Sequence, residues 1–384
     1  MKTKLLSSQN FNRILLIKPS ALGDVVHTIP VLPKLRDRFP SAQIDWLITP
    51  ENSDLVRHHP DLSSVVLFDR RKLARFGRNW TATTEPFRLL RQLRQAHYDL
   101  VIDLHGQMRS ALLTLATGAP VRIGFDRPIR RTPPASEHHA LRNSPRRGWT
   151  GAREGSWAVY SHHIPIPTLD VHAIDRYLWL TPILGLDDSP IDSRIYLSPE
   201  SEATAQKLLE QNGLQLFCGL VPGTIWETKH WPPERFAEVG LWLEKQGFAV
   251  VLLGTKRDRW RCEMIKRLCR HAIDLSGQTT PAELAVIVKR AALCVTNDSG
   301  AMHLAVALDR PVVSVFGPTN PVHIGPYGRP NAVVRVDLPC SPCNFRRLSQ
   351  CRHGHACMTQ ASATMVIERI ESVLKAHSRH QRCA

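Results

Sequence analysis

A short apolar run that ends in a turn of small and polar residues constrains the fold of this chain more than any other feature. Ala291–Val295 has the length and character of a buried parallel strand, and Asp298-Ser299-Gly300 follow it as turn residues. A helical pattern then begins near His303. The first N–H groups of a helix have no partner within it and carry partial positive charge, so a turn of this kind binds phosphate. The sequence therefore predicts an anion site at Ser299 and Gly300, to which His303 could donate.

An ordinary capped helix is the alternative interpretation of the same residues. In that case Asp298 or Ser299 would only cap the helix, and His303 would simply be exposed. The local pattern does not distinguish the two.

The same strand–loop–helix unit opens the chain. Arg13–Lys18 is predicted to be a strand, Pro19–Asp24 a glycine-containing loop, and Val25–Phe39 a helix. The loop lacks the G-x-G-x-x-G pattern of dinucleotide-binding proteins. Further strands, with a helix over Glu85–Gln95 before the last of them, are predicted at Ile44–Ile48, Ser64–Phe68 and Tyr98–Leu104. The alternation predicts a doubly wound α/β domain with a parallel sheet.

From about residue 124 to 168 this periodicity is lost, and the alternation restarts after a linker that ends near residue 192. The predicted strands of the second half are Phe217–Val221, Ala249–Leu253 and Val312–Gly317, and the predicted helices are Ser201–Gln211, Pro233–Lys245, Pro281–Arg290 and Ser362–Lys375. We predict one α/β domain over residues 1–192, a second over 193–361, and a closing helix and tail over 362–384. Two such domains in tandem imply a cleft between them.

The charge of the chain indicates an anionic partner. Its 384 residues include 50 Lys and Arg against 34 Asp and Glu, a net charge of +16. Eight arginines fall between Arg122 and Arg153, either as a docking surface for a polyanion or as a solvated basic loop. No apolar run is long enough to span a bilayer, and Ile14–Ile17 is too short for a signal peptide, so we expect a cytoplasmic protein.

Four of the nine cysteines cluster near the C-terminus. Cys340, Cys343, Cys351 and Cys357 follow the pattern C-x2-C-x7-C-x5-C, whose first pair has the spacing of a zinc knuckle and whose second half does not. In a reducing compartment both a metal site and free thiols are open interpretations.

Three segments resemble the signatures of glycosyltransferase family 9, the bacterial lipopolysaccharide heptosyltransferases. The first is Lys18–Pro30, the second combines Pro222-Gly223-Thr224 with Lys229–Pro232, and the third runs from Asp298–His303 into Gly317–Pro321. They occur in the family's order and span most of the chain. The resemblance implies the GT-B fold, with two Rossmann-like domains whose parallel sheets face each other across a cleft.

The resemblance also implies a reaction. The family transfers a heptose from ADP-heptose to the Kdo or heptose of the lipopolysaccharide inner core, inverts the anomeric centre, and needs no catalytic metal or other cofactor. Asp24 stands where the family keeps its general base, with Ser20 and Gly23 beside it on the acceptor-binding loop. Capping a helix that begins at Val25 is the other possible role of Asp24.

The expected donor site lies on the second domain. Lys229, which we count as catalytic, is expected to neutralise the departing diphosphate, and the chain has no Asp-x-Asp pair there that would hold a divalent cation. Asp298 is expected to orient the loop or contact the sugar, since a carboxylate repels a diphosphate. The predicted diphosphate-binding residues are Thr224, Lys229, Asp298, Ser299, Gly300 and His303, and the topology places the nucleoside near Gly254, Thr255, Gln278 and Thr279.

The arginine-rich stretch fits an acceptor that carries lipid A phosphates and Kdo carboxylates, because guanidinium groups pair with both. This Kdo-lipid A type of acceptor implies peripheral contact with the inner face of the inner membrane. The predicted acceptor-binding arginines are Arg127, Arg130, Arg131, Arg146 and Arg147.

Two other functions remain open from the sequence. A GT-B enzyme that uses another nucleotide sugar, either a transferase or an epimerase, would have a similar phosphate site. A basic nucleic-acid-binding protein would explain the charge, but aromatic residues make up only 7% of the chain and no nucleic-acid-binding module is present. We therefore expect no nucleic acid partner.

Overall fold

The computed structural model describes residues 6–70, 80–129 and 148–383. The described residues up to 129 together with Trp149–Tyr196 form one compact unit, and the chain from Leu197 onward forms a second.

The first unit is built on a six-stranded parallel sheet in the order β3-β2-β1-β4-β5-β6. Its central strands are short apolar runs whose side chains are buried, as expected when helices cover both faces of a parallel sheet. The strands are β1 (Arg13–Ile17), β2 (Gln43–Ile48), β3 (Ser64–Leu67), β4 (Leu100–Asp103), β5 (Val121–Phe125) and β6 (His162–Ile164).

The helices of the first unit differ from the prediction at its start. The single helix predicted over Val25–Phe39 is wrong: Pro30 lies between two helices, and the first of them begins at Leu22. Pro30 has no N–H to continue the hydrogen-bond ladder, although the apolar periodicity runs through it. The helices are α1 (Leu22–Thr28), α2 (Val31–Arg38), α3 (Pro50–Ser53), α4 (Trp80–Gln95), α5 (Met108–Thr117), α6 (Ala173–Leu178) and α7 (Thr181–Leu184).

The second unit repeats the architecture, with a six-stranded parallel sheet in the order β12-β11-β10-β7-β8-β9. The strands are β7 (Phe217–Val221), β8 (Ala249–Leu252), β9 (Ile273–Asp274), β10 (Leu293–Asn297), β11 (Val312–Phe316) and β12 (Val333–Arg335). The predicted strands at β7, β8, β10 and β11 are confirmed. Four strands were not predicted, and each has five residues or fewer: β5, β6, β9 and β12.

Helices of the second unit enclose a single large core that includes Trp231, Phe236 and Phe316. The helices predicted over Pro233–Lys245 and Pro281–Arg290 are confirmed, and the closing helix extends beyond its predicted end. The bounds are α8 (Pro199–Gln211), α9 (Pro233–Lys245), α10 (Arg259–Leu268), α11 (Pro281–Arg290), α12 (Gly300–Ala307), α13 (Pro321–Ile324), α14 (Ala356–Thr359) and α15 (Ala363–Cys383).

Strand order decides which loops meet within each unit. In the first, β1 pairs with β4, so the loops that follow Ile17 and Asp103 leave the sheet side by side. In the second, β10 pairs with both β7 and β11, so the loops after these three strands are neighbours. Open α/β sheets bind their ligands at this carboxyl edge. Within the described part of the chain, none of the helices combines the length and the apolar character needed to cross a membrane.

Candidate active site

Asp24 lies in the first turn of α1, and its carboxylate does two things at once. Oδ2 accepts a hydrogen bond from the backbone N–H of Ala21, the N-cap residue, at 3.2 Å. The Asp24 side chain nevertheless keeps 45% of its exposure. The two roles considered from the sequence are therefore compatible, since the carboxylate caps the helix through one oxygen and its side chain stays partly exposed.

Lys18 and Tyr177 hold the second oxygen of Asp24. The Lys18 ammonium lies 3.8 Å from Oδ1, and the Tyr177 hydroxyl donates to the same atom at 3.2 Å. Lys18 is itself fixed, because it donates to the carbonyl of Leu104 at 3.0 Å and lies 4.7 Å from the centre of the Tyr177 ring. Its side chain is only 6% exposed. Asp24 is thus oriented by Lys18, which follows β1, and by Tyr177 of α6, as well as by its own N-cap residue.

The charges around Asp24 keep it ionised. Loss of solvent around the carboxyl favours its protonated form, but the Lys18 ammonium, the Ala21 N–H and the Tyr177 hydroxyl outweigh this, and the pKa of Asp24 lies below its ordinary value. Burial lowers the pKa of Lys18, and the nearby Asp24 carboxylate partly offsets that effect. An ionised carboxylate with an accessible edge has the properties that a general base requires.

His105 borders this cluster from the loop after β4. Burial, reinforced by the Lys18 cation, lowers the pKa of His105 to about 4, so its imidazole is neutral at pH 7. The buried carboxylate of Asp103 accepts from the backbone N–H groups of His105 and Gly106, which fixes the loop. The sequence analysis gave no role to His105 or Tyr177, because nothing in the local patterns connects them with Asp24.

The predicted acceptor-binding residues fall into two groups. Ser20 is buried in the loop before α1, and Gly23 is half-buried in the first turn of α1 beside Asp24. Arg127 lies after β5, with its guanidinium 4.0 Å from the centre of the Trp157 ring. The other four predicted arginines lie outside the described residues: Arg130, Arg131, Arg146 and Arg147.

In the second unit an ion pair joins the loops after β7 and β10. The Lys229 ammonium lies 2.7 Å from Oδ2 of Asp298, and both side chains are nearly buried, at 11% and 6% exposure. Thr319, from the loop after β11, donates its hydroxyl to the same oxygen at 2.5 Å, and Thr224 donates to the backbone carbonyl of Asp298 at 3.0 Å. Asp298 therefore orients Lys229 and its loop, one of the two roles predicted for it.

Asn297, which the sequence analysis left without a role, fastens the same loops through its buried side chain. Its amide donates to the carbonyl of Pro222 at 2.8 Å and accepts from the backbone N–H of Trp231 at 3.1 Å. Both segments of the second family signature are thereby tied to the end of β10. The signal was present in the sequence, since an amide at a strand end can bond two neighbouring loops.

Ser299 and Gly300 open α12 as predicted. Ser299 is the N-cap residue, but its hydroxyl makes no capping bond and is buried without a hydrogen-bond partner among the described residues. The Asp298 carboxylate instead pairs with Lys229 and accepts a hydrogen bond from Thr319. The interpretation of an ordinary side-chain cap is therefore wrong, as is its exposed His303, which is 7% exposed in the first turn of α12. An unsatisfied hydroxyl at a helix N-terminus beside a lysine is suited to bind an anion.

The predicted nucleoside residues lie around the loop after β8. Gly277 donates its N–H to the carbonyl of Gly254 at 2.8 Å, which brings the segments of Gly254 and Gln278 together. Gln278 donates to the carbonyl of Asp274 at 2.8 Å. Thr279 is half-buried and directly precedes the N-cap residue of α11.

Asp258 is a further residue that the sequence analysis missed. It accepts from both the N–H and the hydroxyl of Thr255, at 2.8 and 2.7 Å. A β carbon at Gly223 would lie 2.3 Å from the Asp258 carboxyl carbon, so the loop after β7 packs directly on this carboxylate. The spacing Thr255-x-x-Asp258 is that of a capping box and could have revealed this contact.

The clustered cysteines Cys340, Cys343, Cys351 and Cys357 are free thiols. Burial raises the pKa of Cys357 to about 12. Among residues 6–70, 80–129 and 148–383, no group of three or more His, Cys, Asp or Glu side chains is arranged to hold a metal ion.

Comparisons with known proteins show which family the chain belongs to. The family model for glycosyltransferase family 9 (heptosyltransferase) matches residues 86–141 and 135–353. Lipopolysaccharide heptosyltransferase 1 of Pseudomonas aeruginosa is 31% identical over 336 residues, which are 86% of this chain and 86% of that protein.

Two solved structures share the fold. E. coli ADP-heptose lps heptosyltransferase II is 21% identical with a TM-score of 0.72, and the match covers 95% of this chain and 99% of the other. E. coli heptosyltransferase WaaC with ADP-2-deoxy-2-fluoro heptose is 24% identical with a TM-score of 0.68, over 94% and 99% of the two chains.

Two parallel α/β units, each with a polar loop cluster at the carboxyl edge of its sheet, and the likeness to these two structures show the GT-B fold, as predicted. The chain belongs to glycosyltransferase family 9, the heptosyltransferase family. Family membership favours a transferase over an epimerase or a nucleic-acid-binding protein.

Proposed function

We propose that this enzyme transfers a heptose from ADP-heptose to the Kdo or heptose of the lipopolysaccharide inner core, with inversion of the anomeric centre. The similarity to lipopolysaccharide heptosyltransferase 1 supports the heptose and the lipopolysaccharide acceptor, and the similar structure that contains a fluorinated ADP-heptose supports the nucleotide. The observation that carries the proposal in this chain is the buried Lys229–Asp298 pair beside the unpartnered hydroxyl of Ser299.

In the proposed reaction, Asp24 removes the proton from the acceptor hydroxyl as that oxygen attacks C1 of the heptose. The bond between C1 and the diphosphate oxygen breaks, and ADP leaves with the electron pair. Asp24 suits this role because its pKa is lowered and its side chain is half exposed, so that it is ionised and accessible at neutral pH.

The departing diphosphate gains negative charge, and the second unit is proposed to stabilise it. Lys229 supplies the cation, and the N-terminus of α12 supplies the Ser299 hydroxyl and backbone N–H groups. Thr224 and His303 complete the diphosphate site. Asp298 holds the ammonium in place, and the nucleoside lies along Gly254, Thr255, Gln278 and Thr279. We propose that no metal ion takes part.

The acceptor is proposed to be an anionic lipid of the Kdo-lipid A type, reached from the cytoplasmic side of the inner membrane by peripheral contact. Arg127, with the arginines at 130, 131, 146 and 147, would pair with its phosphates and carboxylates, and Ser20 and Gly23 would line its sugar.

Calorimetric binding of ADP, UDP and GDP, without added metal, tests the donor assignment directly. Selective binding of ADP that weakens in Lys229→Ala is the expected result. Lys245→Ala, which removes an exposed lysine in α9 of the same unit, is the matched control and should bind ADP as the wild type does. Selective UDP or GDP binding would overturn ADP-heptose as donor, and the absence of any nucleotide binding would overturn the proposed reaction.

A further inference from the structure

Two helices of the first unit, α4 and α5, cover the same face of its sheet. Leu89 and Leu93 of α4 and Leu113 of α5 are buried in one cluster with Leu15 and Val101 from the strands beneath them. The Arg94 guanidinium also reaches Gly118 at the C-terminus of α5, where it occupies the place that a β carbon would take. A cation at a helix C-terminus is favourable, so Arg94 holds the helices side by side.

The outer surfaces of these helices expose large apolar side chains at helical spacing. Phe87 and Leu90 of α4 are three residues apart and are 62% and 39% exposed. Leu112 and Leu115 of α5 have the same spacing and are 56% and 46% exposed. Residues three apart lie on one side of a helix, so each helix presents an apolar stripe on the side opposite the core.

Arginines flank both stripes. Arg88 and Arg91 are exposed on α4, and Arg109 is exposed on α5. Glu85 is the only acidic residue in the sequence of either helix. The surface formed by α4 and α5, which we call the α4–α5 face, is therefore both apolar and cationic.

We propose that the α4–α5 face docks on an anionic phospholipid bilayer. Phe87, Leu90, Leu112 and Leu115 would enter the boundary between headgroups and acyl chains, while the arginines pair with headgroup phosphates. An apolar stripe edged by cations is the pattern of helices that lie in a membrane surface. The inference rests on the proposed function in one respect, namely that the acceptor is embedded in such a bilayer.

Charge favours a bilayer over a second copy of this chain as the occupant. A symmetric contact through this face would bring the arginines of both copies together with few carboxylates to neutralise them. A bilayer with anionic headgroups supplies the opposite charge across the whole face.

The second unit has exposed apolar residues on a basic helix as well, but they do not form a comparable face. Trp260 and Leu268 of α10 are 51% and 53% exposed, but they are eight residues apart, which separates them by about 12 Å along the helix. The guanidinium of Arg261 lies 4.1 Å from the centre of the Trp260 ring. These two residues therefore serve as a matched control, with similar exposure but too far apart along the helix to form one continuous apolar patch.

Co-sedimentation of the full chain with vesicles tests the proposal. Wild type is expected to bind vesicles of phosphatidylethanolamine with phosphatidylglycerol and not those of phosphatidylcholine alone. Phe87→Gln with Leu90→Gln should lower the partition coefficient at least about tenfold. Arg88→Gln with Arg91→Gln should lower it about 25-fold, about fivefold for each cation. Trp260→Gln with Leu268→Gln should leave it unchanged, and a circular dichroism spectrum and a thermal unfolding midpoint equal to those of wild type would show that each variant is folded.

Several results would overturn the proposal. One is wild-type binding to vesicles whether or not they contain anionic lipid, and another is α4 variants that bind vesicles as well as wild type does. A third is an α10 control that loses as much vesicle binding as the α4 variants. A wild-type dimer that Phe87→Gln with Leu90→Gln dissociates would identify a second copy as the occupant instead.

A water-soluble acceptor without acyl chains separates this inference from the proposed function. Heptose transfer to that acceptor by a wild type that does not bind vesicles would disprove docking and leave the reaction standing. Vesicle binding without heptose transfer to any acceptor would support docking and disprove the proposed reaction.

Discussion

Each unit places a carboxylate beside a buried lysine at a strand-to-helix loop, and the two carboxylates differ in how much of them is left free. Asp24 lies 3.8 Å from Lys18 and keeps 45% of its side-chain exposure. Asp298 lies 2.7 Å from Lys229 and keeps 6%. Thr319 donates to the same Asp298 oxygen that Lys229 contacts, whereas Asp24 divides its bonds between two oxygens.

The same pair of residue types is thus suited to opposite tasks. An open, ionised carboxylate can accept a proton from a ligand. A carboxylate closed off by a lysine and a threonine can only hold them, and Lys229 then presents its charge from a fixed position. In the first unit the lysine orients the carboxylate that accepts the proton. In the second unit the carboxylate orients the lysine that presents its charge.

Replacing Asp24 by Asn should have the largest effect on turnover. The amide oxygen can still accept the Ala21 N–H and cap α1, but the side chain can no longer take a proton. Loss of a general base lowers kcat by about 100- to 10,000-fold. Initial rates of ADP release that depends on acceptor measure this effect, with Asp54→Asn, which changes an exposed carboxylate of the same unit, as the control.

Unchanged ADP affinity and an unchanged acceptor KM in Asp24→Asn would locate the defect in the chemical step. Turnover within about threefold of wild type would show that Asp24 only caps the helix, since the cap survives the substitution.

Lys229→Ala should weaken donor binding and turnover together. It removes a cation from the proposed diphosphate site and leaves Asp298 as an uncompensated buried carboxylate. Hydrogen bonds to charged groups are worth about 1.5–3 kcal/mol, so the Kd for ADP should rise about 10- to 100-fold. Calorimetry measures this, and an ADP affinity equal to that of wild type would place the diphosphate elsewhere.

Features whose interacting residues lie close together along the chain could be predicted from the sequence. The loop at Asp298-Ser299-Gly300 could be predicted because strand, turn and helix N-terminus are contiguous. The family signatures also predicted that Thr224 and Lys229 lie near this loop. In the structure, both residues contact Asp298.

Contacts across long separations could not be predicted in this way. Tyr177 lies 153 residues after Asp24, in a helix whose pattern carries no sign of a partner. Likewise β9 and β12 have two and three residues, too few to show a strand periodicity, and only pairing with their neighbours defines them. The early helix was misjudged because apolar spacing continued through Pro30.

Asp298→Asn should have a smaller effect than either substitution above, and of a different kind. The amide keeps the volume but loses the ion pair, so the Lys229 ammonium is less well positioned. Misplacement of one stabilising group should lower kcat about tenfold. ADP affinity should change less than about threefold, because removal of a negative charge near the diphosphate offsets the loss of order around Lys229.

Steady-state kinetics with donor and acceptor varied separately would measure this effect. A loss of kcat as large as in Asp24→Asn, with ADP affinity intact, would mean that Asp298 takes part in proton transfer and would end the contrast between the two carboxylates.

Tyr177→Phe should give the smallest effect and the most specific one. The Tyr177 hydroxyl lowers the pKa of Asp24, so its removal lets that pKa rise. A smaller fraction of Asp24 is then ionised at a given acidic pH. The acidic limb of the kcat profile should therefore move to higher pH, while the rate at neutral pH stays near that of wild type.

The groups facing Asp24 decide how this shift is interpreted. Lys18, His105 and Arg176 all remain in the variant, and His105 is neutral above its own pKa of about 4. Tyr98→Phe is a matched control, because it removes another buried hydroxyl that donates to a carboxylate, that of Asp45 at 2.8 Å. A shifted limb in Tyr177→Phe alone would mean that Tyr177 tunes the base. Equal profiles in both variants would mean that the proton-accepting group that limits the rate is not Asp24.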